Sequence, residues 1–174
     1  MSTYFAHISE DGRKQSIEEH LQGTVDRCAA FAKEFGAEEQ GRFIGLLHDI
    51  GKYSDEFQKR LHGGPRVDHA TAGAVESARA GAEWGAFCIA GHHSGIPDGG
   101  CLKMDQPGDP TLYGRLKKGL ARGIPEYVQN WKNLYIQNKA TRRRTPHGVR
   151  GLKCRRDNSR LQLKRVAPRT ECTT

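Results

Sequence analysis

The stretch Leu46-Leu47-His48-Asp49-Ile50-Gly51-Lys52 decides how the rest of the chain is read. It sets a histidine and a carboxylate side by side in apolar company, on what reads as the last turn of a helix. Burying two such polar groups beside leucines is costly unless a partner satisfies them. A divalent cation is such a partner, because neutral imidazole and carboxylate both ligate transition metals. Neighbouring helical residues project about 100° apart, so the pair can grip one ion or bridge two. Lys52 follows Asp49 by three residues on the same helical face, where its ammonium can orient a carboxylate or meet a phosphate.

Working outward, the surrounding segments are helical. Ser16 and Glu19 have the spacing of a capping box, and Ile17, Leu21, Val25, Cys28 and Phe31 or Ala32 recur at helical intervals up to Gly36. A second helix spans about 37–50 with Gly51 as its stop, and Ser54 caps a third that ends before His62-Gly63-Gly64-Pro65. Asp68 caps a helix rich in small residues with His69 in its first turn. Trp84 to Ala90 forms another, which delivers Gly91-His92-His93. Asp109-Pro110 opens a helix to about Leu120, and Pro125 opens a last one containing Trp131. No alternating run of β-branched residues marks a sheet. The expected fold class is all-α, a helical bundle, with Trp84 and Trp131 in its core.

The chain has 174 residues and a net charge of +8, enough for one domain with a real core. The charge is uneven. From Lys139 onward 12 Lys and Arg face only Asp157 and Glu171, whereas residues 1–138 carry 16 basic and 18 acidic side chains. Residues 139–174 are poor in apolar groups and lack a helical period, so they read as a disordered basic tail, distinct from a body spanning 1–138. Such a tail suits nucleic acid, or is an end without evolved function. Five cysteines without a CxxC pair read as reduced thiols. With no apolar run of membrane-spanning length and no hydrophobic signal core at the start, the expectation is a cytoplasmic protein that does not engage a membrane.

The polar residues at helix ends follow the order His20, His48-Asp49, His69, His92-His93. Each group sits near one end of a separate helix, so a bundle can gather them. Five histidines and a bridging Asp49 suffice for two ions, although one more carboxylate is expected. Two metals about 3.5–4 Å apart suit phosphoester hydrolysis. The abundance of imidazole favours Mn, Co, Ni, Fe or Zn over Mg.

On the stretches FAHISEDGRKQSIEEHL, GLLHDIGKYSDEFQKRL, VDHATAGAV and IAGHHSGIPDGG, covering roughly residues 4–100, the sequence resembles the HD superfamily of metal-dependent phosphohydrolases. More narrowly it resembles the HD nuclease domain of the CRISPR-associated helicase-nuclease of type I interference. The resemblance implies an HD-domain bundle with a two-metal centre that cuts single-stranded DNA in antiviral defence. Its partners would be a helicase domain or subunit and an RNA-guided surveillance complex. It assigns His20, His48 and Asp49 to one metal, and Asp49, His69, His92 and His93 to the second. Asp49 and Lys52 would be the catalytic pair, with Lys52 contacting Asp49 or the scissile phosphate, and water rather than a side chain would be the nucleophile.

The sequence departs from that pattern in two ways. The family's further aspartate, downstream of the double histidine, has no recognisable motif here; Asp157 falls in the basic tail, while Asp98, Asp105 and Asp109 read as loop and cap residues. There is also no GxxxxGK[ST] phosphate loop, so the chain reads as a stand-alone subunit or a truncated piece. Two other functions compatible with the sequence are an HD-type nucleotide phosphohydrolase and an inactive fragment that binds nucleic acid through its tail. His7 is taken as structural, His62 and His147 as solvated, and Tyr53 and Ser54 as possible lining of a DNA path, Ser54 being equally explained as a cap.

Overall fold

The computed structural model describes residues 4–121, and the helix expected from Pro125, Trp131, His147, Asp157 and the basic tail lie outside them. Six helices dominate: α1 (Ile17–Lys33), α2 (Glu38–Leu47), α3 (Asp55–Leu61), α4 (Ala70–Arg79), α5 (Glu83–Gly91) and α6 (Leu112–Ala121), with a 3₁₀ turn at Ile50–Tyr53. The fold is all-α apart from one small addition. A two-stranded antiparallel hairpin, β1 (Phe5–Ile8) and β2 (Lys14–Ser16), precedes α1. Nothing in its sequence signalled strands. It is held instead from outside, by the Gln58 amide, which accepts from the backbone N–H of Phe5 and donates to its carbonyl, both at 3.0 Å, and also donates to Lys52 O at 2.8 Å.

The capping box at Ser16 forms: its hydroxyl accepts from Glu19 N, and the Glu19 carboxylate accepts from Ser16 N. Two antiparallel helix pairs make the body. In the first, α2 lies directly on α1. A Cβ on Gly41 would come within 2.3 Å of Cys28 O, and one on Gly45 within 2.9 Å of Thr24 O, so glycine permits backbone-to-backbone contact. Gly73 on α4 does the same against Leu47 O, at 2.0 Å. The shared core contains Ile17, Leu21, Leu46, Leu47, Ile50, Ala74, Ile89 and Leu112, together with Ala6 from β1.

Several local expectations change. The second helix ends at Leu47, with His48 as its C-cap, and Asp49 has left helical geometry at φ −125°. Gly51 is not a stop. It is required because a Cβ there would sit 2.2 Å from His69 O. The helix after Asp109-Pro110 starts at Leu112, where the Thr111 hydroxyl accepts from Gly114 N. Tyr53 is buried and donates to Glu18 Oε1 at 3.0 Å, so it lines no DNA path, whereas Ser54 caps α3 through Phe57 N. Trp84 is exposed rather than core, and Ala32 rather than Phe31 faces inward. Among the described residues no helix is long and apolar enough to cross a membrane, and Cys28, Cys88 and Cys101 are free thiols.

Candidate metal centre

Asp49 is the middle of the site. Its side chain is 3 % exposed, and its two oxygens face different sets of imidazoles. On one side, Oδ2 lies 2.8 Å from His20 Nε2 and 3.2 Å from His48 Nε2. On the other, Oδ1 lies 3.3 Å from His69 Nε2 and 3.2 Å from His92 Nε2. His93 completes the second group, its ring tilted 43° to that of His92 with centroids 4.0 Å apart. Donor atoms of Asp49, His69, His92 and His93 fall within 4.8 Å of one another, as do those of His20, His48 and Asp49. All six residues expected as ligands therefore converge, in two groups that share one carboxylate.

Four elements deliver them. The first turn of α1 supplies His20, the end of α2 supplies His48, and the end of α5 supplies His92 and His93. His69 stands at the start of α4, where the Asp68 carboxylate accepts from Thr71 N and from the Thr71 hydroxyl. Helix ends suit this purpose because their unpaired backbone groups orient side chains. His48 Nδ1 lies 2.7 Å from Gly45 O and His92 Nδ1 2.7 Å from Ile89 O. A carbonyl only accepts, so each Nδ1 carries the proton. Each Nε2, if the ring is neutral, then turns a lone pair toward Asp49. His69 repeats this more loosely with Val67 O at 3.3 Å.

That arrangement tests whether a cation fits. Lone pairs of neutral imidazoles facing a carboxylate repel it, unless the rings are protonated or a cation lies between. Asp49 does push His92 upward against the effect of burial. Yet one carboxylate, already paired with a lysine, does not balance a ring of imidazoliums. His93 is moved the other way, lowered by burial and by its neighbours His92 and His69. His69 Nε2 is buried with no hydrogen-bond partner despite its approach to Asp49. An orphaned nitrogen, carbonyl-fixed tautomers and a shared carboxylate match the donor set of a transition-metal site.

Lys52 was expected at Asp49 or at a phosphate, and the structure puts it on Asp49. Its Nζ lies 2.9 Å from Oδ2 and is buried. The 3₁₀ turn achieves this, since residues three apart eclipse in that geometry. The ammonium also donates to His7 Nε2 at 3.1 Å and lies 5.4 Å from the centroid of the Phe57 ring. Burial pushes Asp49 upward, but the imidazoles and this ammonium hold it far below the usual carboxylate range.

His7 was taken as a structural residue. Its residue surface is largely exposed, but partial desolvation on the side facing the site, and then Lys52, lower its pKa, and its ring meets His20 edge-on with centroids 4.9 Å apart. The hairpin brings it there, and the local sequence carried no signal for that. Asp105 and Asp109 are occupied elsewhere, by Thr111 and by Gln106 N. Asp98 belongs to neither ligand group.

The fold and this cluster agree with the comparison to known families, in which the HD domain profile matches residues 17–129. The chain belongs to the HD domain family. No curated protein matches it. Family and cluster together define a hydrolase of the metal-dependent phosphohydrolase type, with a His/Asp site able to hold divalent metal.

Proposed function

We propose that this protein is a metal-dependent nuclease that hydrolyses phosphodiester bonds of single-stranded DNA, and that it acts in the cytoplasm in type I CRISPR interference. The observation that carries the reading is the division of Asp49, one oxygen to His20 and His48, the other to His69 and His92. A carboxylate shared between two ligand groups suits a pair of ions on one phosphoryl centre. Exposed His93 leaves the site accessible to a polymer. The sequence resemblance supplies the narrower choice of DNA and of a helicase and RNA-guided complex as partners.

His20, His48 and Asp49 would hold one divalent ion, and Asp49, His69, His92 and His93 the other. When bound, such ions supply Lewis acidity, activating water and neutralising charge on the phosphoryl oxygens. The chain's own residues prepare the site. Gly45 O and Ile89 O fix the tautomers of His48 and His92. Lys52 stops Asp49 from rotating and compensates its charge. Because Lys52 is buried, with Asp49 and His7 engaging two of its three donors, it is assigned to positioning rather than to the substrate.

Incubating the full chain with circular single-stranded DNA and Mn²⁺ tests this directly. Linear products from the wild type, none from Asp49→Ala and none with EDTA are expected. Turnover of mononucleotides with the circle left intact would instead make it a nucleotide phosphohydrolase.

A further inference from the structure

A cleft of about 390 Å³ opens beside the second ligand group, bordered by His69, His93, Ser94, Asp109, Arg115 and Lys118. We propose that it is a subsite for the phosphate next to the scissile one, with Arg115 and Lys118 of α6 as its cationic contacts. The inference rests on the nuclease reading.

The cleft is continuous with the site, because His69 and His93 belong to both. Arg115 is held in place: its Nη1 donates to Ala90 O at 2.9 Å, and Nη2 lies 3.5 Å from Ser94 Oγ. Ala90 and Ser94 flank the His92-His93 pair, so the guanidinium is anchored to the same segment that presents those ligands. A guanidinium has five donors in a rigid fork, and one firm bond to a carbonyl leaves most of them for an anion. Lys118 lies one turn further along α6, is exposed, and borders the same cleft.

The two acids that border the cleft each hold hydrogen bonds within the chain, and Asp68 also acts electrostatically on Arg115. Asp68 accepts two bonds from Thr71, and Asp109 accepts from Gln106 N at 2.7 Å. Apart from the imidazoles of His69 and His93, no aromatic ring lines the cleft among the described residues. Without a stacking platform or an array of amide groups, the cleft can read a sugar-phosphate backbone but not a base. The ligand class is therefore a phosphodiester of a single strand, bound without regard to sequence.

The test compares two substrates, a thymidine dinucleotide with one phosphodiester and a trinucleotide with two, using Mn²⁺ and the full chain. The gain in kcat/KM from the added phosphate is measured for the wild type, Lys118→Ala, Lys118→Glu and Arg115→Lys. The wild-type gain should be about tenfold, equivalent to one charge-assisted contact. It should fall to about twofold in Lys118→Ala and vanish in Lys118→Glu, through KM rather than kcat. Lys59→Ala, on α3, should retain the full gain. The basic tail acts equally on all these proteins, so it cancels from the comparison. Equal gains in wild type and both Lys118 variants would overturn the subsite while leaving the nuclease intact. Failure of the wild type to cut either substrate would overturn the nuclease reading, and the subsite with it.

Discussion

Lys52 Nζ lies 2.9 Å from Asp49 Oδ2, and both side chains are 3 % exposed. Removing one member of such a pair strands the other charge in the interior, which costs about 3–5 kcal/mol. Lys52→Met should therefore lose about that much stability in EDTA. Mn²⁺ should restore part of it, because a cation at Asp49 compensates the same carboxylate. Urea unfolding with and without metal measures both values. A variant as stable as wild type in EDTA would show that Lys52 does not hold Asp49.

The two ligand groups make separable predictions for metal uptake. Asp49→Ala should abolish binding at both, since the carboxylate is common to them. His20→Ala and His93→Ala should each remove one ion and leave the other. Metal content after equilibrium dialysis against Mn²⁺ gives the stoichiometries. Identical loss in all three variants would point to one site instead of two.

Close backbone approach places His69, so filling that contact should disturb the centre. Gly51→Ala puts a methyl 2.2 Å from His69 O, an overpacking worth about 1–3 kcal/mol, and should weaken Mn²⁺ binding as well. Gly23→Ala is the contrasting case. It lies within α1 with nothing within 4 Å of the new methyl, and should stabilise by about 0.5–1 kcal/mol. Thermal unfolding of the two variants should shift in opposite directions.

Burial pushes the Asp68 carboxyl upward, but the N–H and hydroxyl of Thr71 hold it below its ordinary value. A carboxyl with a lowered folded pKa contributes fully above its unfolded pKa of about 3.9 and loses that contribution as pH falls through the folded value. Asp68→Ala should cost about 1 kcal/mol at pH 7, the usual worth of such a cap. The gap between variant and wild type should close toward pH 2. Urea titrations at the two pH values measure it, and a gap that widened on acidification would contradict the assignment.

Much of the site was legible because its chemistry is local. His48-Asp49 beside leucines demanded a partner whatever the fold. The helical periods around Leu21, Leu47 and Ile89 placed His20, His48 and His92 near the ends or faces of apolar segments. Capping residues Ser16, Ser54 and Asp68 marked their starts through short-range bonds that the final structure keeps. His7 was not legible, because its approach to Lys52 depends on a hairpin with no strand signal, fastened by Gln58 from 53 residues away.

The sequence by itself determined the helices, the identity of the six converging residues and the charge division between body and tail. Periodicity, capping and donor chemistry depend only on neighbours along the chain. Tertiary structure decided which oxygen of Asp49 faces which pair of imidazoles, and chose Asp49 from the two contacts open to Lys52. It also gave Gly51 its actual role, as the place where one backbone passes within contact of another. Those outcomes depend on two helix pairs meeting at glycine, and a distance between segments far apart in sequence has no signature within either one.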